Sequence, residues 1–296
     1  MSTFDLSIAN LRFSVGIPSG FAVEEHDPLY LPFLNLETPT NLGIDITISC
    51  GPEPDWTSLP LLFDTQETWT AHRLGSDILL RMPNASEPGY LWTVLLTGDF
   101  KQATVYCSPL MIEDPLNAPG LITNPIHYPL DQILAMFHFS AHRGLIIHAA
   151  GVARGDSGVF CAGRSGAGKT TLMRQWRDVP DLMGLSDDRV VLREIDGRFR
   201  LFGTPWAGEG KVASPLDTDL HALAFVHHGD KNEIRPIAPR AALEQLLPTS
   251  SVLWFDPTAL DRTLTLCHDL VQTIPAYEVC CRPDPSAATL VNQLLG

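Results

Sequence analysis

The chain has 296 residues, room for one large domain or two ordinary ones, and its 45% hydrophobic content is enough for a sizeable core. A formal net charge of −14 argues against non-specific nucleic-acid binding, which draws on a surplus of Lys and Arg; solubility alone explains the acidity. The six cysteines form no C-x-x-C pair and suggest neither a zinc site nor a disulfide framework, so a reducing compartment is expected. The stretch Met1 to Asp5 lacks the basic segment and apolar core of a signal peptide, and no apolar run is long enough to span a bilayer. The expectation is a cytoplasmic protein with no membrane and no nucleic-acid partner.

Residues 1–125 read as a mainly β domain. Leu6 and Ile8, then Leu11, Phe13 and Val15, alternate in part, and Ile44, Ile46 and Ile48 alternate cleanly with Asp45, Thr47 and Ser49. Strands are also expected at Ile78 to Leu80, Leu91 to Leu96 and Ala103 to Cys107, separated by Gly and Pro turns. His26, Asp27 and His72 read as solvated side chains among turns, and Trp56, Trp69 and Trp92 as core. Residues 108–127 look like a connector.

Residues 126–296 change character. Leu130, Ile133, Leu134 and Phe137 stand at helical spacing between Pro129 and Gly144. Leu145 to Val152 reads as a buried strand, joined through a four- to five-residue loop to the strand Gly158 to Ala162. Gly163, Arg164, Ser165, Gly166, Ala167, Gly168, Lys169 and Thr170 then fit G-x-x-x-x-G-K-[ST], the phosphate-binding P-loop, with Thr171 beginning a helix. Glycines let the backbone curl so that its N–H groups point at a polyphosphate, and the helix start adds a positive end. Lys169 suits the β- and γ-phosphates of ATP, and the Thr170 hydroxyl suits Mg²⁺.

Downstream, Leu185 to Leu192 reads as one strand with Asp187 and Asp188 at its start. Two adjacent acids near a metal allow one to hold it and the other to take a proton from an attacking hydroxyl. Asp196-Gly197 is a hairpin turn, and Gly203 to Lys211 is a glycine-rich loop, carrying Glu209, of the kind that closes over substrates. A strand at Leu220 to His227, helices at Arg240 to Leu247 and Leu260 to Leu270, a strand at Ala276 to Cys281 and a closing helix at Ala287 to Leu295 complete an α/β pattern.

Taken together, His148-Ala149-Ala150-Gly151, the P-loop, Ser186-Asp187-Asp188 and Gly203-Thr204-Pro205-Trp206 resemble the HPr serine kinase group. The likeness is greatest to the HPr-kinase-related enzymes found beside ribosomally made peptides, including the lasso-peptide kinases, and covers roughly residues 128–296. It implies a phosphoenolpyruvate-carboxykinase-like P-loop domain, with ATP and Mg²⁺ as cofactors and a homo-oligomeric assembly. By position, Lys169 and Thr170 become the phosphate and metal residues, and His148 lies beside the reacting phosphate. Asp187 is assigned as the base, and Asp188 with Thr170 and Glu209 as the metal-associated set. The C-terminal signature of the bifunctional kinase/phosphorylases is missing, which separates this chain from HPr as substrate. The expected activity is serine phosphorylation of a peptide or small protein, with the β domain recognising it. The alternatives are a non-catalytic nucleotide-binding regulator and a small-molecule kinase.

Overall fold

The computed structural model describes residues 2–37, 42–84, 89–113, 119–163, 168–176, 179–282, 290 and 292–295, without the side chains of Thr170 and Thr171. The fold is mixed α/β, and the chain divides into two compact units. Unit 1 holds residues 1–27 and 34–138; unit 2 holds 28–33 and 139–296.

In unit 1 the strands are β1 (Ser2–Ile8), β2 (Leu11–Ile17), β3 (Phe21–Val23), β4 (Gly43–Ser49), β5 (Leu61–Asp64), β6 (Thr70–Leu74), β7 (Asp77–Pro83), β8 (Tyr90–Leu96), β9 (Gln102–Cys107), β10 (Ile112–Glu113) and β11 (Gly120–Ile122). Eight of them form one sheet in the order β1-β2-β4-β9-β8-β7-β6-β5, parallel at β2–β4 and β4–β9 and antiparallel elsewhere. The alternation at Ile44, Ile46 and Ile48 is real: all three are buried. The connector is not featureless, since β10 and β11 pair there and β11 lies parallel to β3. His72 departs from expectation: it is buried on β6, with its Nε2 3.3 Å from the Thr70 hydroxyl.

Helix α1 (Leu130–Ala141) follows, and the division between the units falls inside it. Unit 2 continues with β12 (Gly144–Arg154), β13 (Ser157–Ala162), α2 (Lys169–Trp176), β14 (Met183–Ser186), β15 (Arg189–Ile195), β16 (Arg198–Phe202), β17 (Asp217–His228), β18 (Glu233–Ile237), α3 (Pro239–Leu246), α4 (Pro257–Thr273) and β19 (Ala276–Cys281). The sheet order is β13-β12-β15-β16-β17-β19-β18, with β14 also on β12. Because β13 pairs with β17 as well, β12, β13, β15, β16 and β17 form a closed circuit of pairings.

The sheet is buried on both faces, which explains why β12 and β13 are near-continuous apolar runs. On one face Ile147, Ala149, Phe160, Ala162 and Phe225 pack with α3 and α4 residues such as Leu246, Leu266 and Leu270. On the other, Ala150, Val152, Val159 and Cys161 pack with Leu172, Met173 and Trp176 of α2. Each fully buried Leu or Phe contributes about 1.5–3 kcal/mol. Asp256 caps α4 by accepting the amides of Thr258 at 2.9 Å and Ala259 at 3.0 Å, with Pro257 in the first turn.

Three local expectations change. Arg154 pairs with Ser157, so β12 and β13 join through the two-residue turn Gly155-Asp156 and not a longer loop. Leu185 to Leu192 is not one strand: Asp187 and Asp188 separate β14 from β15, both laid along β12. The strand β18 was not legible, because Arg235 and Pro236 hide its pattern. Residues 287–289 and 291 of the expected closing helix lie outside the described residues.

Candidate functional site

The site is built where β12 and β13 run side by side. Ala149 stands opposite Ala162, so one step on, His148 is across from Gly163, where the glycine loop leaves β13. Arg164, Ser165, Gly166 and Ala167 lie outside the described residues. The loop ends at Gly168, whose φ of +96° is one that side-chain-bearing residues rarely adopt. Helix α2 begins at the next residue, so strand, glycine loop and helix occur in the expected order. Lys169 is 7% exposed, and its ammonium donates to the Gly163 carbonyl at 2.8 Å. Burial pushes its pKa below the ordinary lysine value; Asp188 opposes that shift and Arg189 adds to it.

The two acids form a bend between β14 and β15. Gly151 pairs with Ser186 and His148 with Arg189, so Asp187 and Asp188 interrupt the ladder beside Ala149 and Ala150. The buried Ser186 hydroxyl accepts the Arg189 amide at 3.3 Å, which helps satisfy the backbone where the ladder breaks. At such a bend consecutive side chains take different directions. Asp187 is 2% exposed and turns to the loop 203–212, where it accepts the amides of Gly208 at 3.0 Å, Gly210 at 2.6 Å and Val212 at 3.1 Å. A Cβ at Gly210 would lie 2.6 Å from Asp187 Oδ2, so glycine there is a matter of space. Asp188 turns the other way, with Oδ1 3.0 Å from His148 Nε2 and Oδ2 3.3 Å from Arg189 Nε. Burial pushes the Asp188 carboxyl up. The His148 hydrogen bond and the charges of Arg189, His148 and Lys169 outweigh it and hold the carboxyl below its ordinary value.

His148, Lys169 and Asp188 are therefore brought together, with the start of the glycine loop beside them. Asp187 belongs to the same bend, but its carboxylate is taken up by the loop it holds. Glu209 sits at the crest of that loop, exposed, between two glycines whose amides bind Asp187. Among the described residues no group of three His, Cys, Asp or Glu side chains is arranged to hold a metal ion. Mg²⁺ bound through one carboxylate, water and phosphate oxygens needs no such cage, and Asp188 supplies a suitable hard oxygen.

Sequence reasoning passed over His228. Parallel pairing of β17 with β13 brings the end of β17 to the glycine loop, where the His228 Cε1 lies 3.8 Å from the position a Cβ would take at Gly168. The signal was available: a polar His227-His228 pair closes an apolar strand, as Gly163 does on β13. Among the described residues no helix is long and apolar enough to cross a membrane. Comparison with protein-family models finds no match for this chain, and comparison with curated proteins finds none either.

Proposed function

We propose that the chain is an HPr-kinase-like P-loop enzyme that uses ATP and Mg²⁺ to phosphorylate a hydroxyl, a serine of a peptide or small protein. One observation carries the reading: a buried lysine closing a glycine stretch that follows a strand whose neighbour presents a histidine, and that histidine holds a carboxylate. Bound nucleotide and Mg²⁺ would supply the transferable phosphoryl group and neutralise its charge. Lys169 holds a fixed positive charge against the phosphate oxygens, in a place where burial strengthens the attraction. Asp188 orients the acceptor hydroxyl and takes its proton, and its lowered pKa keeps it ionised at neutral pH. His148 and Arg189 fix the direction of that carboxylate. Asp187 acts through the backbone, pinning the loop that carries Glu209 over the site.

Relative to the sequence expectation the base moves from Asp187 to Asp188, and Asp187 holds a loop instead of acting on the substrate. The test is transfer of labelled γ-phosphate from ATP to serine peptides by wild type, Asp188→Asn and Asp187→Asn. The reading requires that Asp188→Asn bind ATP and lose transfer. Undiminished transfer by Asp188→Asn would sink the assignment, and wild type that binds ATP but modifies neither peptide nor metabolite would favour the regulator.

A further inference from the structure

Unit 1 contains a cleft of about 770 Å³, within the size range of ligand sites and lined mostly by apolar and aromatic groups. Its floor is one face of the sheet. Register places Thr70, Arg81, Thr93, Tyr106 and Ser49 in a row across β6, β7, β8, β9 and β4. The segment after β4 folds back over this row. It sets Trp56 on Arg81, with Cζ 3.6 Å from the ring centroid, while the Tyr90 ring, tilted against Trp56, has its centroid 3.4 Å from the same atom. Glu53 from the same segment binds Arg81 Nη2 at 2.9 Å and accepts the Thr93 hydroxyl.

The guanidinium is 3% exposed, yet its Nη1 has no hydrogen-bond partner among the described residues. The buried Ser108 hydroxyl on the same cleft has none among them either. Unmet buried donors are uncommon and call for an acceptor. The charge, in contrast, is met, because Glu53 balances Arg81. An anionic ligand would gain little and would face the Glu53 carboxylate. A flat ligand stacked on those ring faces in place of the guanidinium is disfavoured as well, since Arg81 already occupies that position. Thiol or soft-metal chemistry is disfavoured because burial pushes the Cys107 thiol up to about 12 and the Cys50 thiol above its ordinary value. What remains is a neutral acceptor joined to an apolar group. A backbone carbonyl beside a large apolar side chain has that chemistry, and Glu53, about two-fifths exposed, can receive a neighbouring backbone N–H.

We propose that this cleft docks an extended, uncharged stretch of peptide, taking one carbonyl at Arg81 and one aromatic or large aliphatic side chain against Trp56, Tyr90 and Tyr106. That this peptide is the phosphoryl acceptor rests on the kinase reading above; that the cleft binds it does not. The experiment uses the full chain without nucleotide and follows the Trp56 indole N–H by NMR. The probes are an end-blocked pentapeptide with a central phenylalanine, its alanine counterpart, and phenylacetate. The phenylalanine peptide is expected to shift the Trp56 signal saturably, and to bind about tenfold more tightly than the alanine peptide. Trp56→Leu, which keeps an apolar group on Arg81, is expected to weaken it about tenfold, followed at the Tyr90 and Tyr106 ring protons. Equal binding of both peptides, tighter binding of phenylacetate, or an unmoved Trp56 signal would each overturn the proposal. With ATP and Mg²⁺ added, binding of a serine-containing counterpart of the phenylalanine peptide without phosphoryl transfer to it would sink the kinase reading alone. Transfer without a Trp56 response would sink the docking site alone.

Discussion

Replacing Asp187 by Asn separates the two acids most sharply. The carboxylate accepts three backbone amides while only 2% exposed, so each bond is charge-assisted and shielded from water. Asn retains one oxygen and turns an NH₂ group toward amides that also donate. At least one of the three amides is then left without a partner, at about 1–3 kcal/mol, and the remaining bonds lose their ionic character. A total of about 3 kcal/mol is expected for opening the loop, or roughly two orders of magnitude in its opening equilibrium. Hydrogen exchange at Gly208, Gly210 and Val212 reads this directly, because those amides are the ones released. Asp188→Asn, at a side chain 35% exposed, should leave the same amides within about threefold of wild type. Unchanged loop protection in Asp187→Asn, together with lost phosphoryl transfer, would refute the division and return Asp187 to a role on the substrate.

Lys169→Met should leave unit 2 folded and reduce phosphoryl transfer by about a hundredfold or more, since it removes the fixed cation of the loop; rates near wild type in the labelled-ATP assay would refute this. Gly168→Ala should cost about 1–2 kcal/mol in the thermal unfolding of unit 2, because a residue with a Cβ must hold φ +96°; the nearest atom to that Cβ is 3.8 Å away, so the cost is conformational and not a clash. In the folded protein the Asp188 carboxyl titrates below its ordinary value of 3.8, so its stabilising contribution is full above that value and is lost as pH falls through the lower folded one. Removing the His148 hydrogen bond in His148→Leu leaves burial less opposed and should move the Asp188 titration upward, as followed by carboxyl ¹³C NMR. A downward shift would contradict the stated causes.

Much of unit 2 was legible because its strands and helices obey their periods. The run Leu145 to Val152 is apolar except at His148, as a strand covered on both faces beside a polar site would be. Asp196-Gly197 announced its turn through the positive φ that both residues adopt. The bend at Asp187-Asp188 was not legible. Flanking Leu185 and Val190 look like one strand, and only pairing with β12 shows that the acids interrupt it. Which acid does what depends on distant partners, the Gly208–Val212 backbone for one and His148 for the other, and no local pattern records such contacts. The same holds in unit 1. Trp56, taken for a core residue, is half-buried and spends one face on Arg81, a pairing set by a segment folding back over the sheet.

The closed circuit of β12, β13, β15, β16 and β17 bears on how this protein can associate and come apart. The strand that feeds the glycine loop has a neighbour on each side, so it offers no open backbone for another chain to add to. The open end of this sheet is β18, where Pro236 withholds a donor and Arg235 and Glu233 pair at the surface. Copies of the chain that meet at β13 must therefore do so through side chains, and those that meet β18 find an edge short of one donor. Unfolding that starts from β18 must pass β19 and break into β17 before it reaches β13, which makes the base of the glycine loop among the last backbone in unit 2 to exchange with water.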